Sequence, residues 1–192
     1  MSLDQVTKVE LRLLRDEQWL LIDTPDTSPR AMLDAYLDGA HLSCSAMQGG
    51  LFIDVDGEPW SDDGTVDEFR MTRIWFDAMH ALVRGADSFG PGFGPWEQSR
   101  LAWTRDGDLV TMVDGGASTM MWSVTVDLPS LALDVADRGR AFATWTREIR
   151  RLNRDALANP RTAERAAIID TNLLADRDLA LVDELVDWIR PP

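Results

Sequence analysis

The sequence predicts an α+β fold in which a largely antiparallel β-sheet, built from hairpins, packs against two or more amphipathic helices. Short segments alternate apolar and polar residues with period two, which is typical of strands buried on one face. Longer segments repeat apolar residues at helical spacing, and hairpins replace regular crossovers between the strands. We expect one α+β domain over residues 1–158 and a C-terminal helical extension over residues 159–192, packed on the same domain.

The strands are predicted from alternation bounded by turn residues. Two of the predicted hairpins turn at an Asp-Gly pair, Asp56-Gly57 and Asp106-Gly107, which is the strongest short-range hairpin signal. Residues 8–23, which precede both hairpins, are predicted to form two strands joined by a polar turn. The predicted strand segments are residues 8–23, 50–60, 99–114 and 120–126.

The helices are predicted from start signals and apolar faces. Ser28-Pro29 supplies an N-cap residue followed by proline at the first helical position. Thr65 and Glu68 have the spacing of a capping box, and an apolar face at helical spacing follows them. The predicted helices cover residues 28–38, 65–84 and 137–157, with one more from Asn159-Pro160 and a last one from Asp176 or Asp178.

The charge balance limits the partners of this chain. Acidic residues number 33 against 19 basic ones, which gives a net charge of −14. This charge repels nucleic acids and anionic membranes, so we expect a protein partner, basic in charge, or a second copy in a homo-oligomer. No apolar run reaches the ~18 residues of a membrane span and no signal peptide is visible, which predicts a cytoplasmic protein. The composition, rich in Arg, Ala and Asp with one lysine, indicates a GC-rich bacterial origin.

Residues 51–57, Leu-Phe-Ile-Asp-Val-Asp-Gly, carry a catalytic resemblance. An apolar strand ending in Asp-x-Asp-Gly resembles the first motif of haloacid-dehalogenase-type phosphatases. The resemblance implies that Asp54 is a nucleophile and Asp56 a general acid and base, with Mg²⁺ bridging them to the phosphate. The motif departs from that family because Glu58-Pro59 follows the glycine. Turn chemistry favours a hairpin at Asp56-Gly57 that binds no Mg²⁺.

His41 and Cys44 are three residues apart, a spacing found in metal sites and thiol enzymes. A closed zinc site needs about four ligands, and the chain contains two histidines and one cysteine. A buried thiol beside a histidine is the more usual arrangement. We therefore predict no metal site and no cofactor.

The helix predicted over residues 137–157 separates an apolar face from an arginine face. Such a face could bind phosphate or carboxylate groups. The alternative is a solvated face that the aspartates of the same chain neutralise. The candidate anion-binding residues are Arg147, Arg150, Arg151 and Arg154.

Residues 85–98 are predicted to form a loop rich in glycine and proline that carries Phe89, Phe93 and Trp96. Connecting segments lie on the surface, and exposed aromatic residues are common at binding hot spots. We therefore predict that these three side chains contact a protein partner. In the alternative, the three rings fold back and cover the core.

Together these features favour a non-enzymatic, acidic, cytoplasmic protein-binding module. In size, charge and order of elements the chain resembles the immunity proteins that neutralise bacterial toxins, which implies inhibition of a basic partner protein. Two alternatives remain. One is a Mg²⁺-dependent phosphatase-like hydrolase that uses Asp54 and Asp56, and the other is a homo-oligomeric housekeeping protein.

Overall fold

A computed structural model describes residues 7–15, 18–22, 24–38, 49–59, 69–90, 101–114, 122–173 and 176–189, and the structural statements below concern these residues. The α+β fold class is confirmed. The strands are β1 (Thr7–Arg15), β2 (Gln18–Leu21), β3 (Gly49–Val55), β4 (Glu58–Pro59), β5 (Ser88–Phe89), β6 (Leu101–Asp106), β7 (Leu109–Asp114) and β8 (Trp122–Asp127). The helices are α1 (Pro29–Leu37), α2 (Phe69–Val83), α3 (Leu128–Ala158), α4 (Ala163–Asn172) and α5 (Asp176–Ile189).

The described strands form two four-stranded antiparallel sheets. Their orders are β2-β1-β3-β4 and β5-β6-β7-β8. In the second sheet every strand lies beside its neighbours in the chain. In the first sheet β3 pairs with β1, on the side of β1 opposite β2. The predicted hairpins supply the pairs β1–β2, β3–β4 and β6–β7, because antiparallel neighbours need only short turns.

Both predicted Asp-Gly hairpins are present, with different turn types. Asp56 and Gly57 are the two central residues of the β3–β4 turn and have φ values of 56° and 87°, the type I′ pattern. In the β6–β7 turn the central residues are Gly107 and Asp108, and only Gly107 has a positive φ, 62°. That turn therefore follows the type II′ pattern, with glycine in the first central position.

Helix α3 lies at the centre of the helical layer. It packs on β1 and β8, while α2 packs on β3 and β5, so these two helices each contact both sheets. Helix α5 packs on α2 and α3, and α4 packs on α3 and α1. The hydrophobic core is one cluster that includes apolar residues of both sheets and of all five helices. None of the described helices combines the length and apolar character that crossing a membrane requires.

Two predicted boundaries were wrong. Helix α3 begins at Leu128, nine residues before the predicted start, with Asp127 Oδ2 accepting a hydrogen bond of 2.9 Å from the Ser130 amide. In residues 128–136 only Ser130 is exposed, so the segment lacks the polar face by which an amphipathic helix is detected.

The predicted loop over residues 85–98 contains β5, because Ser88 and Phe89 pair with β6. The capping-box residues Thr65 and Glu68 lie outside the described residues.

Arginines from distant elements satisfy the carbonyls at the ends of α1 and α2. Arg165 donates a hydrogen bond of 2.7 Å to the Leu37 carbonyl, and Arg105 donates one of 2.6 Å to the Leu82 carbonyl. The last carbonyls of a helix have no partner within the helix and carry partial negative charge, so a guanidinium is favourable there. These arginines have structural roles that their sequence context does not indicate.

Candidate binding surface on helices α2 and α5

The structure places Asp54 and Asp56 at the β3–β4 hairpin. Asp54 is half-buried in β3, and its Oδ1 accepts a hydrogen bond of 2.7 Å from the Gly57 amide. Asp56 is exposed in the turn itself. The Asp54 carboxylate therefore stabilises the turn. Within the described ranges, no three His, Cys, Asp or Glu side chains come together as metal ligands.

We expect Asp54→Asn to keep this hairpin, because an asparagine Oδ1 can accept the same hydrogen bond from the Gly57 amide. The phosphatase alternative is tested by following Mg²⁺-dependent hydrolysis of an aryl phosphate by absorbance. We expect the wild-type protein and Asp54→Asn to give the same rate as buffer alone. Turnover that requires Mg²⁺ and disappears in Asp54→Asn would instead identify Asp54 as the nucleophile.

Of the three predicted aromatic contact residues, Phe89 is described. It lies in β5 with its side chain half-buried, and its ring centroid is 5.7 Å from that of Trp103, which is buried. This position agrees with the alternative in which the ring covers the core. Phe93 and Trp96 lie outside the described residues, as do His41 and Cys44. A contact of the three aromatic residues with a partner stays a prediction.

The four candidate arginines lie on α3 and differ in their neighbours. Arg150 pairs with Asp176 at 3.2 Å. Arg151 forms two hydrogen bonds with the Glu148 carboxylate, 2.8 and 2.6 Å long, which lower the pKa of that carboxyl. Arg147 and Arg154 are exposed and form no hydrogen bond or ion pair within the described part of the chain. Two of the four are thus neutralised by carboxylates of the same chain, and anion binding by this face stays a prediction.

A pocket of about 180 Å³ lies where the C-terminal end of α2 meets that of α5. We refer to it as the α2–α5 pocket. Its lining combines three charged groups and an aromatic ring with apolar side chains from the helix interface. The lining residues are His80, Val83, Arg84, Glu184, Leu185, Asp187 and Trp188.

The end of α2 positions Arg84 at the mouth of this pocket. Gly85 has a φ of 100°, and its amide donates to the Leu82 carbonyl at 3.1 Å. The Ala86 amide donates to the Ala81 carbonyl at 3.0 Å. These two hydrogen bonds form a Schellman motif, in which a glycine adopts the left-handed conformation just after the helix. The backbone therefore leaves the helix axis directly after Arg84. The Arg84 guanidinium remains at the helix end, where it lies beside Glu184 of α5.

Three side chains of this pocket form a polar cluster. His80 Nε2 lies 2.8 Å from Glu184 Oε2, and Arg84 Nη1 lies 3.1 Å from the same His80 nitrogen. Arg84 Nη1 is also 3.8 Å from Glu184 Oε2. Since Arg84 can only donate, His80 Nε2 accepts from Arg84 when it carries no proton and donates to Glu184 when it carries one. The ring can therefore exchange one hydrogen-bond partner for the other.

Helix α5 ends in acidic residues that face solvent. Asp183, Glu184 and Asp187 are exposed, and the last turn contains no basic residue. The partial negative charge of a helix C-terminus acts within the last turn, so the carboxylate of Asp187 costs about 0.3–1 kcal/mol there. Asp183 and Asp187 form no hydrogen bond or ion pair with other described residues. The described part of α5 therefore ends in three exposed carboxylates, and Arg190, the next residue in the sequence, lies outside the described residues.

Trp188 lies one turn after Glu184, at the edge of this acidic face. Its side chain is 48% exposed, and the other exposed large hydrophobic residues in the described ranges, Leu21 and Leu157, are aliphatic. On a helical wheel, Trp188 falls on the side of α5 opposite the buried Leu179 and next to Leu185 at the edge of the apolar face. Sequence reasoning missed this residue, although its position off the apolar face could have indicated it. We refer to Asp183, Glu184, Asp187 and Trp188 together as the Trp188 surface.

Comparison with models of protein families, with curated proteins and with solved structures finds no match to this chain.

Proposed function

We propose that this chain is a non-enzymatic, cytoplasmic binding module whose Trp188 surface binds a basic partner protein, in the manner of an immunity or inhibitor protein. The observation that carries the proposal is the 48% exposed Trp188 beside Glu184 and Asp187 in one pocket, with Asp183 exposed further round the same helix. A large apolar ring gains little from facing water, and carboxylates at a helix C-terminus repel its dipole. A basic protein surface would remove both costs.

The composition of the Trp188 surface fits a binding hot spot. Hot spots are enriched in tryptophan, which supplies a large contact area with few rotatable bonds, and a polar rim excludes water around it. Here Trp188 lies at one edge of the exposed face of α5, with Glu184 one turn before it, and Asp187 and Asp183 continue that face to one side. Such a surface can contact an apolar patch of a partner and favour partners that carry positive charge.

The overall charge supports a basic partner over a nucleic acid. A net charge of −14 repels phosphate backbones and attracts cationic proteins over a distance of about a Debye length. Electrostatic attraction of this kind raises association rates and depends on salt. The proposed complex should therefore form faster at low ionic strength.

Affinity capture with quantitative mass spectrometry tests the proposal. The bait is the full chain, and the extract comes from the organism that encodes it. We expect the wild-type protein to retain a basic protein and the variant Asp183→Asn/Asp187→Asn/Trp188→Ala to retain at least about tenfold less of it, because the variant removes the aromatic anchor and two of the carboxylates. All three positions are exposed, so the free energy of unfolding should stay within about 0.5 kcal/mol per substitution.

A matched control variant changes the same charge and a similar apolar area elsewhere. Leu157→Ala/Glu164→Gln/Asp170→Asn alters an exposed hydrophobic residue on α3 and two exposed carboxylates on α4. We expect it to retain the partner as the wild-type protein does. Equal retention by the Trp188-surface variant, or capture of acidic proteins only, would contradict the proposed function.

A further inference from the structure

Within the α2–α5 pocket, two basic side chains of the chain itself already contact one carboxylate. Glu184 Oε2 faces His80 Nε2 at 2.8 Å and Arg84 Nη1 at 3.8 Å, whereas Asp187 pairs with no described cation. The Arg84 side chain is 63% exposed. An ion pair this exposed contributes little stability, so Arg84 can leave Glu184 at small cost.

The dimensions of the pocket suit a single side chain. Its volume is about 180 Å³. Sites for drug-sized ligands are larger, at ~300–1,000 Å³. The lining offers an indole ring from Trp188 and carboxylates from Glu184 and Asp187. Flat aromatic surface next to carboxylates is the environment that a guanidinium prefers, because it stacks on the ring and donates paired hydrogen bonds to the carboxylate.

On the basis of the proposed function, we propose that the α2–α5 pocket binds an arginine side chain of the basic partner. The guanidinium of this arginine stacks on Trp188, pairs with Glu184 and Asp187, and displaces Arg84. Arginine fits better than lysine because lysine has a compact, strongly hydrated ammonium without a planar face. Arg84 thus acts as an internal competitor that holds Glu184 until the partner arrives. When Arg84 leaves, His80 Nε2 loses a donor and is free to donate to Glu184.

Binding of labelled hexa-arginine and hexa-lysine peptides to the full chain, measured by fluorescence anisotropy at one fixed ionic strength, tests this inference. The peptides carry equal charge, so general attraction to an acidic protein affects both. We expect hexa-arginine to bind about two- to fivefold more tightly than hexa-lysine, the factor of an exposed cation–π contact. Trp188→Ala should abolish this preference while leaving hexa-lysine binding nearly unchanged.

Removing the competitor should strengthen binding. We expect Arg84→Gln to raise hexa-arginine affinity about two- to fivefold, the factor of an exposed ion pair. The control Arg30→Gln removes the same charge from an exposed i,i+4 pair with Asp34 on α1 and should change affinity less.

Equal binding of the two peptides, a preference that survives Trp188→Ala, or equal effects of the two arginine variants would overturn the inference. If the capture experiment still distinguishes the Trp188-surface variant from its control, the proposed function stands without it.

Discussion

Replacing Trp145 with alanine should lower the free energy of unfolding by about 3–5 kcal/mol. The side chain is 5% exposed, and its ring stacks on Phe142 with centroids 5.9 Å apart. Its Nε1 donates a buried hydrogen bond of 2.8 Å to the Thr27 carbonyl, which joins α3 to the turn before α1. The variant therefore creates a cavity and leaves a buried carbonyl without its partner.

Urea denaturation of Trp145→Ala and Trp145→Phe separates these two effects. The phenylalanine variant keeps most of the apolar volume and loses the hydrogen bond, so its cost should be about 1–3 kcal/mol. Trp188→Ala is the control, because the same substitution at an exposed tryptophan should change stability by less than about 1 kcal/mol. Wild-type stability in Trp145→Ala would show that α3 does not pack as described.

The second large effect is expected at Gly139, in the middle of α3. A Cβ atom at this position would lie 2.6 Å from Phe76 Cε1 and 3.2 Å from Val182 Cγ1. Phe76 is fully buried, so its ring has no free space into which it can turn. Overpacking of this kind costs about 1–3 kcal/mol. We expect Gly139→Ala to be destabilising, although alanine favours an ordinary helix over glycine by about 1 kcal/mol.

A double-mutant cycle with Phe76→Leu checks the cause of this cost. The smaller leucine side chain provides room for the added methyl group, so Gly139→Ala should cost clearly less in the Phe76→Leu background. The measurement is again the free energy of unfolding in urea. If Gly139→Ala stabilises the wild-type protein, helices α2, α3 and α5 are not in the close contact that the structure shows.

The same close contact explains why the proposed binding surface lies where it does. Helices α3 and α5 run antiparallel, because Gly139 of α3 is next to Val182 of α5 while Arg150 pairs with Asp176. Asp176 is thereby neutralised at the beginning of α5, where a carboxylate is also favoured by the helix dipole. At the other end Glu184 contacts His80 and Arg84, whereas Asp187, in the last turn, has neither advantage among the described residues. Residues that break a local rule are expected at functional sites, which is the reason to seek the partner at Trp188.

Several elements could be predicted from the sequence because their causes are local. Ser28 and Pro29 do begin α1, and Ser28 Oγ accepts a hydrogen bond from the Ala31 amide at 3.4 Å. The Asp56-Gly57 pair forms its turn because both residues must adopt positive φ there. Trp75 and Trp145, placed on the apolar faces of predicted helices, are each 5% exposed. Caps, turns and amphipathic periods depend on residues within a few positions of one another.

The functional candidates were harder to predict, because they depend on residues distant in the chain. His80 and Glu184 are 104 positions apart, and no local pattern indicates that they meet. Trp188 is exposed because α5 packs on α2 and α3 through a face centred on Val182, and Trp188 lies at the edge of that face. The fold class, the turns and the apolar faces follow from propensity and spacing along the chain. Which helices approach at Gly139, and which charged groups share a pocket, depends on side-chain packing between elements, because packing selects one arrangement among many that the local patterns allow.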